Sequence, residues 1–349
     1  MKISFIGSAG IPNVYGGFES FLEHCTQFMA KEDHTIWVTC DSNLYIDQRP
    51  EFGNVHRLFI SVPANGFLSV LHDGLAFIRV FFRSKYIVVL GVSGGIWFPI
   101  FRILCDIFRK RLIVNVDGIE SRRQKHNFLK KKCLKIFDLT VQLFAHHIIY
   151  DNQGLYEYLI PKARLKATCI GYSGDHIIRF ENLKIIPSTA LTICRIEPEN
   201  NIELLIEGFL LSSILKYTIV GNWNHSFYGR SLKSRYSSNP RLSLQNPIYD
   251  IEKVSEFRES CEYYLHGHSV GGTNPSLVEM LFYDCKIYCF DVYFNRYTAG
   301  ETVQYFRHPE ELKNLLDNPP TVSTNRDLLR SKYKGVTISS MYLKCIAQS

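Results

Sequence analysis

Residues 266 to 279 read His-Gly-His-Ser-Val-Gly-Gly-Thr-Asn-Pro-Ser-Leu-Val-Glu, after the strand-like run Tyr263-Tyr264-Leu265 and ahead of a helical pattern over Leu277 to Tyr283. Gly271 and Gly272 let the backbone approach a ligand with no Cβ in the way. Pro275 suits a first helical turn, and the free N–H groups of a helix start attract phosphate. The segment therefore has the makings of an anion cradle. Glu279, one turn further on, is uncomfortable beside a diphosphate unless it accepts hydrogen bonds from hydroxyls, and a ribose supplies them. Taken alone, a Gly-Gly pair is more often a plain tight turn; the rest of the chain has to decide.

Three other segments carry groups that could do chemistry. In Arg195-Ile196-Glu197-Pro198-Glu199-Asn200-Asn201 a guanidinium can hold a phosphate bidentately, the bland alternative being a surface arginine beside capping residues. Asp117-Gly118-Ile119-Glu120 sets two carboxylates around a glycine. Gly16-Gly17 precedes a helical pattern within Gly7 to Glu19, where backbone N–H groups can meet phosphate or sugar, but the G-x-G-x-x-G spacing is missing and a nicotinamide enzyme is not expected. His266 and His268 form an H-x-H pair with no evident third zinc ligand, so a hydrogen-bonding or core role is expected and no metal. No Asp-x-Asp occurs, and nothing gathers Ser, His and Asp into a hydrolytic triad.

The elements that must position these groups follow a regular rhythm. Short β-branched or aromatic runs at 3–6, 35–39, 55–60, 86–90, 112–116 and 147–150 alternate with amphipathic stretches near 18–30, 67–82, 97–108 and 125–145. After a weakly patterned segment, 171–188, the rhythm restarts with 190–194, 217–220, 242–244, 262–265 and 286–290. This is the pattern of an α/β chain with two doubly wound parallel sheets, two Rossmann-like domains in tandem. In such sheets ligands bind beyond the carboxyl ends of strands, which is where all four segments fall. Residues 326–347 read as one closing helix packing back on the first domain.

At 349 residues the chain fits two domains. Its ten cysteines show no C-x-x-C pair, and the N-terminal apolar run is too short for a signal peptide, so a reducing cytoplasmic setting is expected. The +7 net charge lies entirely in residues 1–180, with 22 Lys and Arg against 15 Asp and Glu, while residues 181–349 balance at 18 each. The excess clusters at Arg109-Lys110-Arg111, Arg122-Arg123-Gln124-Lys125 and Lys130-Lys131-Lys132, close to the aromatic segments 77–82 and 97–101. Bases beside aromatics suit an anionic membrane surface, or else a solvated helix face. His72, Asp73, Arg79 and Arg102 interrupt every stretch long enough to span a bilayer, so the chain at most lies on one.

Gly7 to Glu19, Asn115 to Glu120, Asp151-Asn152-Gln153-Gly154, Arg195 to Asn201, Gly221-Asn222-Trp223-Asn224 and His266 to Glu279 together resemble glycosyltransferase family 4, in particular its bacterial β-1,4-rhamnosyltransferase-like subgroup. The resemblance runs from residue 3 to about residue 310. It implies a GT-B fold, two Rossmann-like domains facing a cleft, with residues 1–175 binding the acceptor, 176–325 the nucleotide-sugar donor, and 326–349 returning to the first domain. It also implies site roles. Arg195 binds the donor diphosphate, Glu279 the ribose, and the backbone of Gly272, Thr273 and Asn274 the phosphate and sugar. Gly16, Gly17, Asn200, His268 and Gly271 complete the donor site, and Pro247-Ile248-Tyr249 clamps the base. Asp117 and Glu120 stand near the transferred sugar as catalytic candidates.

Departures from the wider family are specific: Gly271 stands where a Glu is usual, Asn200 where a base is usual, and Ser121 where an aromatic is common. The first two resemble the rhamnosyltransferase-like subgroup, and a 6-deoxy sugar has no C6 hydroxyl for a Glu at 271 to satisfy. The expectation is a retaining, metal-independent rhamnosyltransferase that uses dTDP-L-rhamnose and a lipid-diphosphate-linked saccharide, attached peripherally to the inner membrane face. Alternatives are a UDP- or GDP-sugar donor, a nucleotide-sugar epimerase, and a nucleic-acid-binding protein, the last giving no reason to keep Arg195, Glu279 and the glycine loop together.

Overall fold

The computed structural model describes residues 1–14, 16–116, 118, 128–180, 182–248, 250–320 and 325–349. The chain divides into two compact units, Met1–Ser173 with Lys334–Ser349, and Gly174–Tyr333.

In the first unit the strands are β1 (Lys2–Ile6), β2 (Thr35–Asp41), β3 (Glu51–Phe52), β4 (Val55–Ile60), β5 (Tyr86–Leu90), β6 (Arg111–Val116), β7 (His147–Tyr150) and β8 (Ala167–Cys169), in spatial order β3-β4-β2-β1-β5-β6-β7-β8. All neighbours are parallel except β3 and β4. The inner strands are buried on both faces, which is why they read as unbroken apolar runs such as Ile87-Val88-Val89-Leu90. From β1 the chain steps one way to β2, and from β4 it steps back the other way through β5, β6 and β7. Right-handed crossovers therefore put the helix Gly17–Lys31 on one face and the helices Ser69–Phe81, Phe98–Ile107 and Phe128–Phe144 on the other.

The helix Gly17–Lys31 buries Phe21, Leu22, Cys25 and Met29 against the sheet. Beside it lies the last helix, Gly335–Gln348. Its Tyr342 is fully buried, with its ring 4.5 Å from that of Phe21 and its hydroxyl taking a hydrogen bond from Asn115 Nδ2 at 2.5 Å. The closing segment is two helices rather than the single one its pattern predicts: Asp327–Lys332 belongs to the second unit and only Gly335–Gln348 to the first.

The second unit holds β9 (Ile186–Ile193), β10 (Lys216–Val220), β11 (Leu242–Gln245), β12 (Cys261–His266), β13 (Lys286–Phe290) and β14 (Gln304–Phe306), ordered β11-β10-β9-β12-β13-β14 and all parallel. From β9 the chain walks outward to β10 and β11, then returns to lay β12 on the other side of β9. That reversal is a topological switch point. One core packs Phe209, Tyr217, Trp223 and Leu265 on one side of this sheet, and a second gathers Tyr264, Leu277, Leu281 and Tyr283. Arg326, itself buried, donates to the carbonyls of Tyr283 and Cys285 at 2.9 Å each, capping the chain where it leaves the short helix before β13.

Tyr342→Ala opens a cavity against Phe5 and Phe21 and strips Asn115 Nδ2 of its acceptor, so it should cost about 3–5 kcal/mol in urea unfolding. A loss below about 1 kcal/mol would show that the last helix is not part of the first core.

Candidate functional site

β9 and β12 lie side by side, with Tyr263 opposite Ala190 and Tyr264 opposite Leu191. The loops that leave their carboxyl ends, Arg195–Asn201 and Gly267–Asn274, are joined by a seam of hydrogen bonds. Asn200 Nδ2 donates to Arg195 O at 2.6 Å, and Asn200 Oδ1 accepts from His268 Nδ1 at 2.7 Å, which fixes the tautomer of that ring. Asn201, in the left-handed region at φ 48°, donates from Nδ2 to Gly267 O at 2.7 Å. Ser269 gives both its N–H and its hydroxyl to Glu199 O, each at 2.9 Å. The backbones approach so closely that a Cβ on Gly267 would stand 2.1 Å from Asn200 O, so only glycine fits there. Asn200, expected at the diphosphate, has both ends of its amide committed to this seam.

The seam holds together the loops that carry the two anion-binding candidates. Arg195 is exposed and, among the described residues, its guanidinium has no carboxylate partner. Gly271 takes φ +121°, and among the described residues the N–H groups of Gly271, Gly272 and Asn274 have no acceptor. The Asn274 side chain accepts from Ser276 N at 3.0 Å and starts the helix Pro275–Met280. That helix has six residues and stops short of the Tyr283 that the sequence pattern predicts. Its dipole is correspondingly small, so any attraction for an anion here would rest on the individual N–H groups rather than on the helix as a whole.

Glu279 is buried on the same short helix and is already ion-paired. Its Oε2 meets Arg258 Nη2, and its Oε1 accepts from His176 Nε2 at 3.1 Å. Burial works against its charge, but the Arg258 guanidinium and the His176 contact outweigh it and hold the carboxyl below the usual carboxylate range. A carboxylate has about four acceptor positions, and these two contacts take two of them. Neither Arg258 nor His176 was among the sequence candidates. Arg258 comes from the charge-rich helix Ile251–Ser260, and His176 from the weakly patterned stretch before β9.

Around this centre, Asn222 beyond β10 accepts from Ile196 N at 2.7 Å and steadies the arginine loop. Beyond β11, Pro247 is exposed and Ile248 packs on the second core of the unit. Tyr249, Asp117 and Glu120 lie outside the described residues. Gly16 and Gly17 belong to the first unit, where Gly16 begins the helix Gly17–Lys31 and Glu19 Oε1 accepts from Ala9 N at 2.7 Å. Among the described residues no three His, Cys, Asp or Glu side chains gather as a metal site.

Burial, with the neighbouring His268 ring acting the same way, pushes His266 down to about 3. The unfolded chain takes up this proton near pH 6.5 and the folded chain does not, so stability from His266 is complete above about pH 6.5 and declines as the pH falls below it, by about 1.4 kcal/mol per unit. His266→Gln should flatten the acid limb of a melting-temperature profile. An unchanged limb would show that this ring takes up its proton in the folded state.

The family model that matches the chain is described as "Domain of unknown function (DUF1972)" and covers residues 1–175. No match was found among curated protein sequences. Among solved structures, Anabaena HepE in complex with UDP superposes with a TM-score of 0.73 at 14% identity over 100% of both chains. Sucrose-phosphate synthase from Thermosynechococcus elongatus gives 0.76 at 12% identity, again over 100% of both. The lipopolysaccharide outer core galactosyltransferase WaaB, in its apo form, gives 0.63 at 13% identity over 100% of this chain and 99% of its own. At such identities the likeness establishes the fold, and the fold is GT-B, built from two Rossmann-like units as the sequence pattern predicts. With half its length matched by that family model, the chain belongs to the DUF1972 family.

Proposed function

We propose that this DUF1972 chain is a retaining glycosyltransferase of family 4 that moves L-rhamnose from dTDP-L-rhamnose to a lipid-diphosphate-linked saccharide, in the building of a surface polysaccharide such as capsule or O-antigen, at the inner face of the cell membrane. The observation that supports the reading is that, at the switch point of the second sheet, the loop bearing Arg195, whose guanidinium has no carboxylate partner among the described residues, is hydrogen-bonded to the loop bearing the N–H groups of Gly271, Gly272 and Asn274, which have no acceptor among those residues. A diphosphate satisfies both at once. HepE, whose fold the chain shares, was solved with UDP bound, which supports a nucleotide-sugar donor.

In this reading each residue has a physical task. As the bond between the sugar's anomeric carbon and the diphosphate oxygen breaks, its electron pair leaves on the diphosphate. Arg195 and the N–H groups of Gly271 to Asn274 face the growing negative charge, supplying the positive field that other transferases draw from a divalent ion. The acceptor hydroxyl then bonds to the anomeric carbon from the face the diphosphate leaves. Glu279 accepts from the ribose hydroxyls, held in place by Arg258 and His176. Asp117, with Glu120 nearby in sequence, is the proposed polar contact or proton acceptor at the transferred sugar. Gly271, where a wider-family Glu would reach the far sugar hydroxyls, suits a 6-deoxy sugar.

Transfer assays across a panel of nucleotide sugars test the donor, and a preference for UDP-hexoses over dTDP-L-rhamnose overturns it. Arg195→Ala should lower kcat/KM about a hundredfold with the melting temperature unchanged. Glu279→Ala should lose activity and also about 3–5 kcal/mol of stability, because it leaves the Arg258 charge buried without its partner. Full activity in Arg195→Ala would remove the diphosphate site from the account.

A further inference from the structure

The three helices on the outer face of the first sheet form one layer. Phe77 of Ser69–Phe81 stacks on Phe101 of Phe98–Ile107 at 3.7 Å, and Arg102 Nη1 donates to Phe144 O at 3.3 Å, tying in Phe128–Phe144. Each helix buries apolar residues toward the sheet, for example Phe77 and Val80 on the first, Phe98 and Cys105 on the second. On an ordinary surface helix the opposite side is polar. Here it is apolar as well.

Along the first helix Leu71, Leu75, Ile78 and Phe82 follow in steps of four, three and four, a single exposed stripe, with Ile78 at 69% and Phe82 at 79% exposure. Along the second, Ile100, Ile103 and Ile107 repeat the spacing, Ile107 at 67%, and Ile96 in the turn Gly95–Trp97 leads into them. The third contributes Ile136, Leu139 and Leu143. The Phe82 and Phe108 rings meet edge to face at 6.1 Å and join the first two stripes. A continuous apolar surface of this kind is the mark of an interaction site.

Charge says what covers it. Arg79 lies one turn from both Leu75 and Phe82, Arg83 donates to Arg79 O at 2.7 Å, and Lys132 and Lys135 precede Ile136 and Leu139 by one turn. The acids of these helices do not balance them. Asp73 is fully buried, Asp138 is half-buried and accepts from Gln142 Nε2 at 3.1 Å, and Asp106 is already paired with Arg102 and with His146, at 2.7 Å each. A second copy docking through this same face would set like charges against each other. An anionic lipid surface offers acyl chains to the stripes and phosphate to the rim. Among the described residues no helix is long and apolar enough to cross a membrane, so the contact is made by lying on it.

We propose that this three-helix face seats the first unit on an anionic bilayer, the isoleucine and phenylalanine stripes entering the acyl boundary and Arg79, Arg83, Lys132 and Lys135 lying among the headgroups. The inference rests on the proposed function only for the place of the acceptor, and its test needs no nucleotide sugar. The full chain is floated with vesicles of phosphatidylcholine alone and of phosphatidylcholine with one-third phosphatidylglycerol. The chain should rise with the anionic vesicles, and the double variant Ile78→Glu, Ile103→Glu should bind them at least about tenfold more weakly with its melting temperature unchanged. Arg79→Glu with Arg83→Glu should abolish the preference for anionic lipid. Phe82→Trp provides a readout that does not depend on losing anything: its emission should shift to the blue on adding vesicles and be quenched by brominated acyl chains. Wild-type chain that stays in the aqueous fraction overturns the proposal. So does a dimer in sedimentation equilibrium that the Ile78 and Ile103 substitutions split while vesicle binding is absent. Vesicle binding that persists where no sugar transfer is found supports the face and counts only against the glycosyl-transfer reading.

Discussion

The chemistry proposed for the second unit depends on the hydrogen-bonded seam between the loops that leave β9 and β12. Arg195 and the glycine loop are some seventy residues apart in the chain, and a parallel sheet alone would bring them only to neighbouring strand ends. Asn200, Asn201 and Ser269 fasten the loops directly, and the absent side chain of Gly267 lets the backbones close on each other. A diphosphate would then meet donors that are already in position, and little reorganisation is left for the moment the leaving group takes its charge. The seam also explains Asn200. A basic residue there would add a charge at the proposed diphosphate site, whereas the asparagine makes a rigid joint.

Glu279 shows a second constraint. A buried carboxylate needs counter-charge before any substrate arrives, and Arg258 with His176 provides it. The same pair aims the carboxylate, so the group proposed to recognise the ribose is also part of the unit's stability. Arg195 differs in kind, being exposed and, among the described residues, without a carboxylate partner.

Much of this architecture is legible in the sequence because central parallel strands are buried on both faces and appear as short, nearly continuous apolar runs, as at Tyr86–Leu90 and, with Ser4 alone between, Ile3–Ile6. The strands that escape such a reading, β3, β8 and β14, have two or three residues each and carry no run to see. Arg195 and the glycine loop are legible because they directly follow strands, where a switch point exposes ligand sites. Arg258 and His176 are not, since their partner is 21 and 103 positions away and Arg258 sits among Glu252, Lys253, Glu256 and Glu259, a composition that reads as a solvated helix face. The apolar stripes of the first unit hide for the opposite reason. A helix apolar on both sides reads as deep core, and only its place in the outermost layer shows that one side is uncovered.

The central claim is that the β9 and β12 loops together hold the diphosphate of an activated sugar by their own charge and N–H groups. The most direct measurement is a calorimetric titration of dTDP into the full chain in the presence of a chelator, alongside the Arg195→Ala variant. Saturable binding without a divalent ion, weakened at least about tenfold by the substitution, is the expected result. Binding that appears only when a divalent ion is added, or that is equal in the two proteins, would contradict it.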